Sequence, residues 1–271
     1  MTVLLLKGLC KEYPLRQQRV QALVDIELAI AEGSFVTIVG KSGCGKTTLL
    51  RIIAGLESRS GGEIVFTPSD ARVGMVFQEP RLMPWLMVEQ NMALAMPPGR
   101  DGKGMQQTVE HYLEILGLTP FRHAYPAQIS SGMAQRVALG RALCYNSDII
   151  LMDEPLSALD AFTRRTLQQE LLHIFQEHKK TILFVTHDVD EALIMGQRVL
   201  VMDRGRIVQD YPVPFPYPRT VGSEPFFRLR ENVLQAITGD ANGEEVIRDE
   251  KEAGVGFCGR HGGRADIGFF D

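Results

Sequence analysis

The segment Gly40-Lys41-Ser42-Gly43-Cys44-Gly45-Lys46-Thr47 spaces three glycines ahead of a lysine and a hydroxyl. That is the G-x-x-x-x-G-K-[ST] pattern of a phosphate-binding loop. Glycines let the backbone wind tightly enough for its N–H groups to converge on phosphate oxygens, and a helix starting at the loop's end adds its partial positive charge. Lys46 would add a full positive charge at the outer phosphates, and the Thr47 hydroxyl is placed to ligate Mg²⁺. Thr48 follows and belongs to the same phosphate-binding stretch.

A second constellation lies about a hundred residues on. Asp148-Ile149-Ile150-Leu151-Met152-Asp153-Glu154 delivers two carboxylates at the end of an apolar run. Asp153 would hold the Mg²⁺ shell, and Glu154, one position further, would polarise an attacking water. An apolar strand ending in two acids is also an ordinary strand-to-loop transition; beside the phosphate loop it reads as the second half of a nucleotide site. Cys44 is expected to be a small filler of a variable loop position, because nothing in the motif requires a thiol. His111, His123, His173 and His178 lack ligand spacing and read as solvated side chains, and Cys258-Gly259-Arg260-His261 has no second pair to complete a metal site.

Parallel α/β architecture is what must position these groups. The runs Phe35–Val39, Ile149–Met152, Ile182–Val185 and Val199–Met202 are continuously apolar, as strands buried on both faces are. Helical spacing separates them, as in Leu167, Leu171, Ile174 and Phe175. Alternation at Ala22, Val24, Ile26, Leu28 and Ile30 predicts a half-buried strand before Phe35. Between Gln78 and Asp148 the pattern turns helical over Val88–Met96 and Met105–Leu116, broken at Pro97-Pro98-Gly99 and Thr119-Pro120, which predicts an inserted helical subdomain over about 79–147. A short strand Arg206–Gln209 leads into a proline-rich extended connector over 211–219, then a helix from Glu224 to about Ile237 with Phe227, Val233, Leu234 and Ile237 available for burial.

The chain has 271 residues, 45% of them hydrophobic, enough for a sizeable core. Its 29 basic and 33 acidic side chains leave a formal charge of −4, which argues against a partner bound through nucleic-acid phosphates. Residues 240–271 hold eight of the acids, four of the bases and seven of the 26 glycines, so the net charge belongs to an acidic tail that is expected to be loosely ordered. The body over 1–239 is formally neutral. Val3-Leu4-Leu5-Leu6 is too short for a signal-peptide core, and charges interrupt every apolar run before a membrane span, so a cytosolic chain is expected. Cys10, Cys44, Cys144 and Cys258 have no paired spacing and read as reduced, mostly packed thiols.

Further motifs resemble one family, the ATP-binding-cassette ATPases. Ile129-Ser130-Ser131-Gly132-Met133 looks like that family's signature, usually Leu-Ser-Gly-Gly-Gln. Gln78 matches its Q-loop, Ser157-Ala158-Leu159-Asp160 its D-loop, His187 its switch histidine, and Tyr13 the aromatic that stacks on adenine. The resemblance covers about residues 1–210. It implies an α/β phosphate-loop NTPase with a mainly parallel sheet core, an N-terminal antiparallel β subdomain and the inserted helical subdomain, in one nucleotide-binding domain over 1–239.

The resemblance also implies two copies packed head to tail, each ATP held between one copy's phosphate loop and the other's Ser130, Ser131 and Gly132, with Asp160 nearby. Glu154, His187 and Gln78 would be catalytic, and Gln78 would join Thr47 and Asp153 around Mg²⁺. Ser131 in place of glycine brings a Cβ close to phosphate and asks for a weaker contact or a different backbone path. Phe77-Gln78-Glu79-Pro80-Arg81-Leu82-Met83-Pro84-Trp85, and Thr163-Arg164-Arg165 after the D-loop, resemble the nitrate, sulfonate and taurine importer branch. Trp85 is expected either to form a groove for a helix of a membrane permease or to pack inside the helical insert. The branch implies an ATPase at the cytoplasmic face of the cell membrane, working with a permease and an extracytoplasmic solute-binding protein, with no nucleic acid. An exporter or lipid-handling ATPase shares the same catalytic motifs, and a soluble cassette ATPase is the third alternative.

Overall fold

The computed structural model describes residues 1–15, 18–96, 102–157, 159–219 and 221–239. The expectations for the 240–271 tail, including Cys258 and His261, for the Pro97-Pro98-Gly99 break, and for Ala158 fall outside the described residues.

Strands β1 (Thr2–Leu15) and β2 (Gln18–Ala31) pair antiparallel, and β3 (Phe35–Val39) follows with all five residues buried. Helix α1 (Lys46–Ile53) starts at the end of the glycine loop. Strand β4 (Gly61–Phe66) returns to pair with β1, completing a three-stranded sheet in the order β2-β1-β4. After β5 (Val73–Val76) come α2 (Val88–Ala93), α3 (Gly102–Ile115) and α4 (Ser131–Cys144). The chain then alternates through β6 (Ile149–Asp153), α5 (Ala161–His178), β7 (Thr181–Val185), α6 (Val189–Met195) and β8 (Arg198–Asp203). The last described elements are β9 (Arg206–Pro212) and α7 (Glu224–Thr238).

The main sheet has six strands in the order β5-β6-β7-β3-β8-β9, all neighbours parallel except β8 and β9. Its central strands are covered on both faces, which explains their unbroken apolar runs. Ile150, Met152, Ile182 and Phe184 pack with α3, α4 and α5, whereas Ile149, Leu151, Leu183 and Val185 pack with α1 and the antiparallel sheet. A third cluster joins α6 and α7 to β8 through Leu193, Phe226, Val233 and Val201.

Several expectations change. In β2 the buried residue is Leu23, not Ala22 or Val24, although Ile26, Leu28 and Ile30 face inward as the alternation predicts. Leu9 pairs with Ile26 and Lys11 with Leu23, so three steps on β2 oppose two on β1, with Asp25 at φ 52° inside this bulge. One extra residue flips the inward face. On α7 the buried aromatic is Phe226, and Phe227 is 56% exposed. Phe226, Leu229, Val233 and Ile237 form the inward stripe at helical spacing. The connector contributes Tyr211 and Pro212 to β9, where an edge position tolerates a proline. Trp85 is 70% exposed, which overturns its packing inside the helical insert.

Candidate active site

The loop after β3 carries Gly40 at φ 155°, Gly43 at 80° and Gly45 at 107°. A Cβ on Gly40 would sit 2.2 Å from the Met202 carbonyl, and one on Gly45 would sit 2.5 Å from that of Ala22. Both positions are closed to other residues by dihedral angle and by space alike. Lys46 is buried, and its ammonium donates to the Gly40 carbonyl at 2.7 Å and to that of Lys41 at 3.1 Å, so its charge stands at the mouth of the loop. Ser42 is exposed there, and the Lys41 ammonium reaches the Thr238 carbonyl at the end of α7. Cys44 is buried, and burial pushes its thiol pKa up, above the opposing pull of Lys46. A protonated, enclosed thiol is a filler rather than a nucleophile.

The Thr47 hydroxyl donates to Asp153 Oδ1 at 3.0 Å, joining the start of α1 to the end of β6. Burial raises the Asp153 carboxyl above its usual range, and neighbouring Glu154 adds to the rise; the Thr47 bond, Arg51 and Lys46 oppose it. A buried carboxylate and a half-buried hydroxyl beside a phosphate loop are hard oxygen donors of the kind that suits Mg²⁺. Gln78 does not join that pair. Its amide donates to Ser157 Oγ at 3.5 Å, and Ser157 Oγ donates to the Glu154 carbonyl at 2.9 Å.

Glu154 lies at φ 45°, in the left-handed region that few non-glycine residues enter. Its N–H donates to the Val185 carbonyl at 2.9 Å, so both backbone groups of the residue are tied down. His187 Nδ1 stands 2.9 Å from Glu154 Oε2. A carboxylate only accepts, so Nδ1 carries the proton in this pair. The contact runs to Glu154, where the resemblance directs His187 to the γ-phosphate.

Tyr13 donates to Glu57 through its phenol, and burial and Glu57 push the phenol pKa up. The Lys11 ammonium lies 4.8 Å over the ring, leaving only the opposite face for a base. Lys11 is itself tied to Glu57 at 3.1 Å and to the Ser58 carbonyl at 2.6 Å. Spacing does not single out Lys11 or Glu57. Their signal is weak, a charged residue two positions before Tyr13 and an acid past the end of α1.

Ser130 caps α4, its hydroxyl accepting from the Met133 N–H at 3.2 Å. Ser131 is the exposed first residue of that helix and Gly132 is buried. Ser131 lies within α4 and outside the left-handed region, so its own backbone is unstrained. A Cβ on Gly132 would lie 2.9 Å from Thr163 Cγ2, so the signature packs on the start of α5. Asp160 caps α5 through bonds from Phe162 and Thr163, and those backbone donors hold its carboxyl below the usual range. The site therefore falls into two halves. Lys46, Thr47, Asp153, Glu154 and His187 form one; Ser130, Gly132 and Asp160 form the other, and no hydrogen bond joins them among the described residues.

The ABC transporter family profile matches residues 23–157. An aliphatic sulfonates import ATP-binding protein of Bacillus cereus is 43% identical over 235 residues, 84% of this chain and 93% of that protein. One from Paraburkholderia xenovorans is 41% identical over 249 residues, 90% of this chain and 70% of the relative. Among solved structures, the dimeric ATP-binding cassette MJ0796, in a post-hydrolysis state with ADP and Pi, superposes with a TM-score of 0.71. That match covers 79% of this chain and all of the other at 31% identity.

Proposed function

The chain belongs to the ABC transporter family, and we propose that it is the ATP-hydrolysing subunit of an importer for aliphatic sulfonates. The observation that carries the catalytic part is the junction of two strand ends at one loop: Thr47 with Asp153, and Glu154 with His187. The importer part rests on relatives of that printed function at 40% identity or more over most of the chain.

ATP is the substrate. Its phosphates would lie against the N–H groups of the loop and the start of α1, with the Lys46 ammonium neutralising the outer phosphates. Thr47 and Asp153 would hold Mg²⁺, which when bound offsets phosphate charge. Glu154 would take the proton of the attacking water, in an orientation fixed by its backbone bonds and by His187. Tyr13 would stack on adenine through the face opposite Lys11.

The split of the site into two halves supports a dimer in which each is completed by the other copy. Ser130, Ser131 and Gly132 at the start of α4 would present helix N–H groups to the partner's nucleotide. Binding would close the pair and hydrolysis would release it, a ligand-driven shift between two states. Gln78, bonded to Ser157, would pass that change to the helices α2 to α4 and, through exposed Trp85, to a membrane permease.

No described helix is long and apolar enough to cross a membrane, so the permease would place this subunit at the cytoplasmic face. A solute-binding protein outside would select the sulfonate. Reconstitution with the permease in lipid vesicles tests this reading: binding protein loaded with an alkanesulfonate should raise ATP turnover, and nitrate or sulfate should not. Equal stimulation by every anion, or by none, would contradict the substrate assignment.

A further inference from the structure

Arg164 lies in the first turn of α5, and the hydrolytic scheme makes no use of it. One terminal nitrogen of its guanidinium donates to the Leu159 carbonyl at 3.0 Å, in the loop that precedes the Asp160 cap. The other stands 3.9 Å from Asp188 Oδ2. Its Nε is buried and has no hydrogen-bond partner among the described residues.

Asp188 directly follows His187 and has its two oxygens divided. Oδ1 caps α6, accepting from the Asp190 N–H at 2.9 Å and the Glu191 N–H at 3.1 Å. Oδ2 faces Arg164. The Asp188 N–H donates to Thr186 Oγ1 at 3.1 Å, so the backbone on both sides of His187 is held by this turn. Arg164, Glu154, Thr186, His187, Asp188 and Glu191 line one small pocket. A guanidinium forks rigidly between a carbonyl and a carboxylate, a geometry that a lysine ammonium on a flexible stem does not reproduce.

We propose that Arg164 is a positioning residue for ATP hydrolysis, bridging the Leu159 loop to Asp188 and thereby fixing His187 against Glu154. The long Asp188 contact and the unpartnered Nε leave the bridge room to tighten. A movement of the Leu159–Asp160 loop is then transmitted to the carboxylate that activates water. Contacts run continuously from Leu159 to Arg164 to Asp188 to His187 to Glu154, and every member but Arg164 belongs to a loop of the site.

The proposal rests on the ATPase reading, and the experiment separates the two. Full-length wild type, Arg164→Ala, Arg164→Lys, Asp188→Asn and the Arg164→Ala/Asp188→Asn double variant are assayed for kcat, KM and fluorescent ATP-analogue binding. Asparagine keeps the helix cap while removing the charge that faces Arg164. Arg164→Ala and Asp188→Asn should each lower kcat about tenfold, with KM and nucleotide affinity within about twofold of wild type. Arg164→Lys should recover part of the loss, and the double variant should be no slower than the slower single one. Unchanged kcat in Arg164→Ala, multiplied losses in the double variant, or a fall in nucleotide affinity matching the fall in kcat would overturn the proposal. A wild-type chain without ATPase activity overturns both readings; an active one with an unaffected Arg164→Ala overturns this one alone.

Discussion

Glu154 occupies a backbone conformation that costs about 1–3 kcal/mol for a non-glycine residue. The bonds from its N–H to Val185 and from Ser157 to its carbonyl hold it there, and the outcome is a carboxylate turned toward His187. Replacing Glu154 by Gln keeps the shape and removes the proposed base. Hydrolysis should fall on the order of 10²-fold or more while ATP binding persists, measured by phosphate release beside nucleotide fluorescence. Near-normal phosphate release would remove Glu154 from the catalytic role. Glu191 makes a different prediction. Burial raises its carboxyl pKa above the usual glutamate range and Asp188 adds to the rise, whereas Thr186, Gln168 and Arg164 pull it down. With the folded pKa above the unfolded one, the folded state binds the extra proton, so stability falls as pH rises from the ordinary glutamate range to the raised value. Glu191→Gln keeps an acceptor for Gln168, and should raise Tm at pH 8 by roughly 2 °C and flatten its dependence on pH. A variant melting below wild type at pH 8 would contradict this. Residue types and spacing make Lys46, Thr47, Asp153 and Glu154 legible, because the chemistry demands them. Arg164, Lys11 and Glu57 are not legible as site residues, since their roles depend on contacts between distant parts of the chain.

Among the elements, the parallel strands β3, β6, β7 and β8 are readable because burial on both faces leaves an uninterrupted apolar run. Strands β1, β4 and β5 carry no comparable pattern. In β1 the run Val3–Leu6 is followed by mixed residues through several register shifts, and β4 carries two glycines in six residues. The bulge at Asp25 similarly hides the inward turn of Leu23, because period-two reasoning assumes an unbroken ladder. Asn91 is the polar residue that pattern conceals most completely. It is fully buried on α2, accepts from the Met83 N–H at 2.8 Å, and its amide reaches the carbonyls of Met83, Leu86 and Met87. One side chain thus shapes the loop that carries exposed Trp85. Asn91→Ala should cost about 2–3 kcal/mol in denaturant unfolding, because the Met83 N–H and the Leu86 carbonyl lose their partner. It should reduce permease stimulation of ATP turnover by more than it reduces the basal rate. Equal reductions would detach this loop from coupling.

Over the full chain, charge and site are each divided, but along different lines. A formally neutral body is suited to pairing with a second copy through specific contacts rather than through bulk attraction, and the −4 resides in residues 240–271. The phosphate-loop half and the α4 half of the site share no hydrogen bond among the described residues, which is the arrangement expected if each copy completes the other's site. The proposed mechanism therefore stands or falls on dimerisation driven by unhydrolysed ATP. Light scattering on Glu154→Gln, which should bind ATP without consuming it, measures this directly. With ATP and Mg²⁺ the particle mass should be twice that of the 30.2 kDa chain, and with ADP it should be the mass of one chain. A single-chain mass in ATP, or the same dimer in both nucleotides, would refute the mechanism.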